Sequence, residues 1–337
     1  MNIIYVTSNA DGTGKTTLST ALLAKLRAEG KNADYVKLFS QAPDTDKDTA
    51  FATMLLGMTE PTSPVPQKPG SITNPDLSEW IKDTIIPWAG KLDVAIVEGP
   101  NLTPDDLTGD NLSVKLSEQL NARVVLLLGY NRDITLDNLA SMMAPFDTHL
   151  AGLVVNGAPK YHCRGIRQLV MSATSDLHLG FQGVIPEDRC LMAVTLAQIT
   201  DHLGGRFLNG QDKATRLVES FLIGGNIMDS GETYFGRSNS KAVIARGDRP
   251  DIQLAALRTT SVALILTGNH EPVEYVSHEV VTQSTPLIVV PKDTKETSEA
   301  LDTIFSRSTA HHLDKVRRFQ ELLEYHCGLS DILTLSE

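Results

Sequence analysis

Residues 7–17 read Thr7-Ser8-Asn9-Ala10-Asp11-Gly12-Thr13-Gly14-Lys15-Thr16-Thr17. An apolar run at residues 3–6 leads into this stretch, and an amphipathic one at residues 16–28 leads out of it. Strand, glycine-bearing turn, Gly-Lys-Thr and helix, in that order, are the setting of a phosphate-binding P-loop. Gly12 and Gly14 let backbone N–H groups converge on phosphate oxygens, and the helix N-terminus adds partial positive charge. The candidate nucleotide-binding residues are therefore Asn9, Ala10, Asp11, Gly12, Thr13, Gly14, Lys15, Thr16 and Thr17. Lys15 is placed to reach the β- and γ-phosphates, and the Thr16 hydroxyl to ligate Mg2+. The strict pattern asks for glycine where this chain has Asn9. Asparagine tolerates positive φ better than most residues, which leaves loop closure through Asn9 open.

Working outward, apolar runs recur at residues 33–38, 94–97, 124–128, 150–155 and 181–185. Amphipathic stretches at 75–89, 110–120 and 135–143 separate them. Buried strands alternating with helices predict an α/β fold, a doubly wound parallel sheet over residues 1–205. Asp93-Val94-Ala95-Ile96-Val97-Glu98-Gly99-Pro100 is an apolar strand ending in an acid. At the carboxyl edge of such a sheet Glu98 faces the phosphate loop and can hold Mg2+ directly or through water. Lys37 ends the second strand, where it either neutralises a transferring phosphoryl group or is simply solvated. Asp44, Asp46 and Asp48 precede a predicted helix at 49–56 and read either as a Mg2+ shell or as a helix N-cap region.

Gly204-Gly205 and Asn209-Gly210-Gln211-Asp212-Lys213 mark a polar boundary. Beyond it a smaller α/β domain is expected over 214–337, with helices at 215–223, 251–257, 272–278 and 295–305. Its strands are expected at 241–246, 262–267 and 286–290. A charged helix at 310–325 carries His311, His312, Lys315, Arg317 and Arg318. Gly247-Asp248-Arg249-Pro250 and Leu266-Thr267-Gly268-Asn269 each follow a strand, so Asp248, Arg249, Thr267 and Gly268 are expected to meet at one edge. There they either offer donors and charge to an anionic ligand, or Asp248 and Arg249 pair to fix a turn.

Composition narrows the classes. The 337 residues are 41% hydrophobic and 21% charged, a globular balance, with formal net charge −11. An acidic surface disfavours general nucleic-acid binding without excluding a local cationic pocket. No apolar run reaches the roughly 18–20 residues of a membrane span. Residues 1–6 lack the features of a signal peptide. Cys163, Cys190 and Cys327 have no metal-ligand or redox spacing, and a reducing cytoplasm is the simplest compartment.

Over roughly residues 1–200 these positions together resemble the dethiobiotin synthetase family of P-loop proteins. The matching features are Gly14-Lys15-Thr16, Lys37, Asp48, Pro61-Thr62-Ser63-Pro64, Val97-Glu98-Gly99 and Gly183-Val184-Ile185-Pro186. The resemblance implies ATP and Mg2+ as cofactors. It implies catalytic roles for Lys15 and Lys37, Mg2+ on Thr16, Asp48 and Glu98, and adenine recognition by Asn156. Ser8 stands where that family has its first loop glycine, and Pro100-Asn101-Leu102 where it has a Gly-rich stretch. The second half resembles a DRTGG domain, with Asn269 at the final glycine. The order of the two is similar to the N-terminal region of long phosphotransacetylases. The expected protein is a homodimer that binds Mg·ATP and an unidentified small molecule. Its implied chemistry is phosphoryl transfer to a carboxylate or to water; the alternative is a nucleotide sensor linked to acetate metabolism.

Overall fold

The computed structural model describes residues 2–70, 74–102, 111–177, 179–225 and 231–328. The chain forms two compact units, Met1–Glu187 with Ala310–Glu337, and Asp188–Thr309.

In the first unit β1 (Asn2–Ser8) runs into α1 (Lys15–Ala28), β2 (Ala33–Lys37) and α2 (Lys47–Leu55). Next, α3 (Asn74–Trp80) passes through a π-helical stretch, Ile81–Ile85, into α4 (Ile86–Ala89) and β3 (Val94–Glu98). Then come α5 (Leu112–Gln119), β4 (Arg123–Gly129), α6 (Leu136–Met143), β5 (Leu150–Ala158), α7 (Cys163–Ala173) and β6 (Phe181–Pro186). The expected helix at 110–120 starts at Leu112, capped by the Asn111 side chain; Asp110 lies outside the described residues.

The six strands order as β2-β3-β1-β4-β5-β6 and pair in parallel throughout. Helices cover such a sheet on both faces, which is why its strands are almost wholly apolar. Tyr5, Val97, Leu126, Leu153 and Val155 lie in the main core of this unit. The strand order places β1 between β3 and β4, and ligands settle at the carboxyl ends beside such a switch. The register sets Glu98 beside both Val6 and Lys37.

The second unit holds α8 (Arg189–Met192), β7 (Val194–Thr195), α9 (Leu196–Leu203), β8 (Arg206–Asn209), β9 (Leu217–Val218), β10 (Ser220–Gly224) and α10 (Glu232–Phe235). It continues with β11 (Lys241–Arg246), α11 (Pro250–Leu257), β12 (Ala263–Thr267), α12 (Glu274–Thr282), β13 (Leu287–Val289) and α13 (Thr294–Leu301). Its sheet orders β10-β11-β12-β13-β8, with only β8 antiparallel. Val243 and Ile244, neighbours on β11, enter different cores because successive side chains leave opposite faces.

Several expectations change. Residues 215–223 form no helix: Leu217–Val218 and Ser220–Gly224 are strands, and the latter pairs in parallel with β11. Phe221, Leu222 and Ile223 are strand formers, and this pairing outweighs the helical spacing of Leu217 and Phe221. The interval at 209–213 is no linker, since Asn209 still pairs with Leu287. Residues 188–205 pack in the second unit, where Leu196, Ile199 and Leu203 meet Ile244, Ile265 and Ile288. The last helix, α14 (Leu313–Cys327), packs on α1 and β6 of the first unit. Gly183 permits this approach, because a Cβ there would lie 2.2 Å from the His326 carbonyl oxygen.

Candidate functional site

The phosphate loop takes its shape from two glycines. Gly12 and Gly14 have φ of 72° and 102°, and Gly14 is the N-cap of α1. Asn9 does not take positive φ. It acts through its side chain instead, its Oδ1 accepting from the Gly129 N–H at 3.0 Å and so tying the loop to the end of β4. Asn156, on β5, donates from Nδ2 to the Thr13 carbonyl at 2.8 Å and braces the loop from the other side. Thr13 is buried, and its Oγ1 has no partner. Ala10 and Asp11 are exposed at the loop tip, and Thr17 lies in the first turn of α1.

Lys15 turns back over the loop. Its Nζ donates to Ser8 Oγ at 3.1 Å and also contacts Asn101 Oδ1. Ser8 Oγ donates to Asn101 Oδ1 at 2.8 Å, and Asn101 Nδ2 donates to Asp11 Oδ1 at 2.6 Å. Burial holds the Lys15 ammonium below its ordinary proton affinity, against the pull of Glu98 and Asp11. An amine desolvated this way gains from a new anionic partner.

Glu98 ends β3 almost fully buried, with 3% of its surface exposed. Thr16 Oγ1 donates to its Oε1 at 3.3 Å, and the buried Tyr35 hydroxyl donates to its Oε2 at 2.8 Å. Burial, then the charge of Asp48, pushes its carboxyl above the usual range, while Lys37, Tyr35 and Lys15 pull it down. A buried carboxylate with a raised proton affinity is under-supplied with positive charge. That deficit, the adjacent Thr16 hydroxyl and the hard oxygen donors fit Mg2+.

Asp46 and Asp48 part company. Asp46 caps α2, accepting from the Thr49 N–H at 2.8 Å and from Ser40 Oγ at 2.6 Å. Helix α2 therefore begins at Lys47, before the predicted 49, and Asp48 sits in its first turn. Asp48 Oδ2 pairs with Lys37 Nζ, and its Oδ1 accepts from His311 Nε2 at 2.7 Å. Burial would raise the Asp48 carboxyl, but the His311 and Lys37 bonds prevail and hold it at about 2. Lys37 loses proton affinity to burial and regains more from Asp48 and Glu98.

Lys15, Thr16, Lys37, Asp48 and Glu98 thus lie close enough at the carboxyl edge to act on one another's charge, in three hydrogen-bonded groups that include three residues not anticipated. Tyr35 had a signal, lying two residues before Lys37 and hence on the same strand face. Asn101 had only its position after the Glu98-Gly99-Pro100 strand end. His311 lies 263 residues from Asp48 and had none.

In the second unit Arg246 pairs with Thr267 across β11 and β12, so both motifs end neighbouring strands. Asp248 and Arg249 do not pair with each other. Asp248 takes Arg246 (Nε to Oδ1, 2.9 Å), and Arg249 takes Asp251 (Nε to Oδ1, 2.9 Å), all on the exposed surface. Thr267 Oγ1 lies 2.8 Å from Thr294 Oγ1, and Gly268 has φ 81°. Below the turn the buried Gln253 Nε2 donates to the Arg246 and Gly247 carbonyls. Among the described residues no three His, Cys, Asp or Glu side chains group as a metal site, and no helix is long and apolar enough to cross a membrane.

Comparison with known proteins finds two families along the chain. Residues 2–195 match the family described as an AAA domain, and residues 198–304 match the DRTGG domain. A phosphate acetyltransferase of Nitrosomonas europaea is 23% identical over 97% of this chain and 52% of its own length. Another, from Nitratidesulfovibrio vulgaris, is 28% identical over 44% of this chain and 22% of its own. The chain therefore spans about half the length of the first relative and less of the second. The MinC:MinD cell division protein complex of Aquifex aeolicus is 15% identical, with a TM-score of 0.37, covering 57% of this chain and 84% of that one.

Proposed function

Because this chain belongs to the AAA domain family, its P-loop domain followed by a DRTGG domain, we propose that the first unit binds Mg·ATP and transfers or hydrolyses the terminal phosphoryl group. One observation carries the reading: Thr16 Oγ1 stands 3.3 Å from the buried Glu98 carboxylate, one residue after the Lys15 that turns over the loop.

In this reading phosphate oxygens replace Asn101 and Ser8 as the partners of Lys15. The loop N–H groups that follow Gly12 and Gly14 receive the remaining phosphate charge. Thr16, Asp48 and Glu98 hold Mg2+, which supplies neutralising charge for the phosphoryl oxygens. Lys37, at the same edge, offsets charge on the transferring group or on an acceptor carboxylate. Such chemistry is mostly positioning and electrostatics. In this reading Asn156, which braces the loop through the Thr13 carbonyl, also contacts the nucleobase.

Calorimetric titration with Mg·ATP tests the reading. Wild type is expected to bind, and Lys15→Ala to bind at least tenfold more weakly, a loss of about 1.4 kcal/mol or more. Equal binding by the two would remove the assignment. A second reading has its own support: nearly the whole chain aligns with about half of a phosphate acetyltransferase. In that second reading the pair of domains in this chain serves as a nucleotide-sensing region for acetyl transfer carried out elsewhere. Tight binding without phosphate release or a phosphorylated product selects the sensor; steady turnover selects the enzyme.

A further inference from the structure

We propose that His311 is a positioning residue of the phosphate site, holding the Asp48 carboxylate in place when Lys37 turns toward phosphate. The inference rests on the Mg·ATP reading above and adds to it a residue from the far end of the chain.

Asp48 has two partners on its two oxygens, Lys37 on Oδ2 and His311 on Oδ1. While both partners are present the carboxylate is held at both oxygens; when Lys37 leaves, the His311 bond keeps Oδ1 fixed and so presents Oδ2 to the metal. The bond is largely shielded, with 15% of the Asp48 side chain and 23% of the His311 side chain exposed, so water screens it less than a surface pair. Phe51, one turn along α2 from Asp48, meets the imidazole edge-on with ring centroids 5.5 Å apart and fixes the ring plane.

The histidine is also carried by a rigid element. His312, next in sequence, caps α14 by accepting from the Asp314 N–H. Helix α14 is anchored by buried Phe319 and Leu323 and by Gln320, whose Nε2 donates to the Ala21 carbonyl on α1 at 2.9 Å. The imidazole is therefore placed by packing rather than by a free tail. Lys37 is the Asp48 partner most attracted by an arriving triphosphate. His311, contacting neither metal nor nucleotide, is the partner that stays. Outer partners that orient a metal-holding carboxylate typically matter by 10–100-fold in metal affinity.

The test measures ATP affinity of the 337-residue chain with Mg2+ and with EDTA, for wild type, His311→Leu, His311→Gln, Asp48→Asn and the His311→Leu/Asp48→Asn pair. His311→Leu is expected to lower affinity about tenfold in Mg2+ and to leave the EDTA value within about twofold, showing that the variant folds. His311→Gln, which keeps an N–H donor near the Nε2 position, should recover most of the loss. The double variant should bind no worse than Asp48→Asn alone, the non-additivity of two residues acting as one. An unchanged Mg2+ increment in His311→Leu, or an equal loss with and without the metal, overturns the positioning role while wild-type binding keeps the site. Wild-type protein that binds ATP under neither condition overturns the nucleotide reading and this inference with it.

Discussion

At the scale of single residues, the two carboxylates of the site are poised in opposite senses. Asp48 is charged in the fold more readily than in water, so its contribution to stability is present above the ordinary carboxylate range and is lost as pH falls toward about 2. Glu98 has a raised folded pKa, so the folded state is favoured below the ordinary range, and that advantage is lost as pH rises through the folded value. The ionised form of the buried Glu98 therefore costs the ligand-free fold stability, and the more so as pH rises. Glu98→Gln is expected to raise the melting temperature at pH 7 by roughly 2–4 °C. That gain should shrink as pH is lowered toward about 4.3. The same variant should lose most of the Mg2+-dependent part of ATP affinity. A lower melting temperature at pH 7, or an unchanged Mg2+ dependence, would count against the strained-site account. The grouping of Lys15, Thr16 and Glu98 at one sheet edge was legible because motif and strand end are local patterns. Asn101 was read only as a departure from a glycine-rich stretch, yet its amide bridges Lys15 and Asp11. A departure from a family pattern carries no sign of what the new side chain will touch.

At the scale of elements, the first sheet was readable because its strands are short, largely apolar runs bounded by polar turns. The second sheet was less so. Its edge strand at Ser220–Gly224 is short and half-exposed, so its apolar spacing serves helix and strand alike, and only its pairing with β11 decides. Gly183 was read as part of a signature, but its structural role is contact: α14 ends directly against it. Gly183→Ala sets a methyl group against the His326 backbone and the Cys327 sulfur, neither of which can yield without moving the helix. We expect a loss of about 1–3 kcal/mol, with faster amide exchange in residues 313–327 than elsewhere in the first unit. Unchanged exchange there would show that the helix does not depend on this close approach.

At the scale of the molecule, the first unit is discontinuous, since residues 188–309 intervene before its last helix. The sequence has no marker for this, because a charged helix after a second domain looks like that domain's own end. Helix α14 buries Val316, Phe319, Leu322 and Leu323. At about 1.5–3 kcal/mol each, their removal is comparable to the whole stability of a typical domain, about 5–15 kcal/mol. A chain stopped at Thr309 should lose the cooperative melting of the first unit and bind a hydrophobic dye; a native-like transition would show α14 to be an accessory. The same arrangement bears on synthesis. As the ribosome delivers the chain, most of the first unit emerges before the second unit, and its helix α14 only after it. Its docking surface for α14 stands open while about 120 residues are translated, a wait of roughly 6–25 s at ordinary elongation speeds. Over that interval the nascent chain presents an apolar seam that α14 later covers.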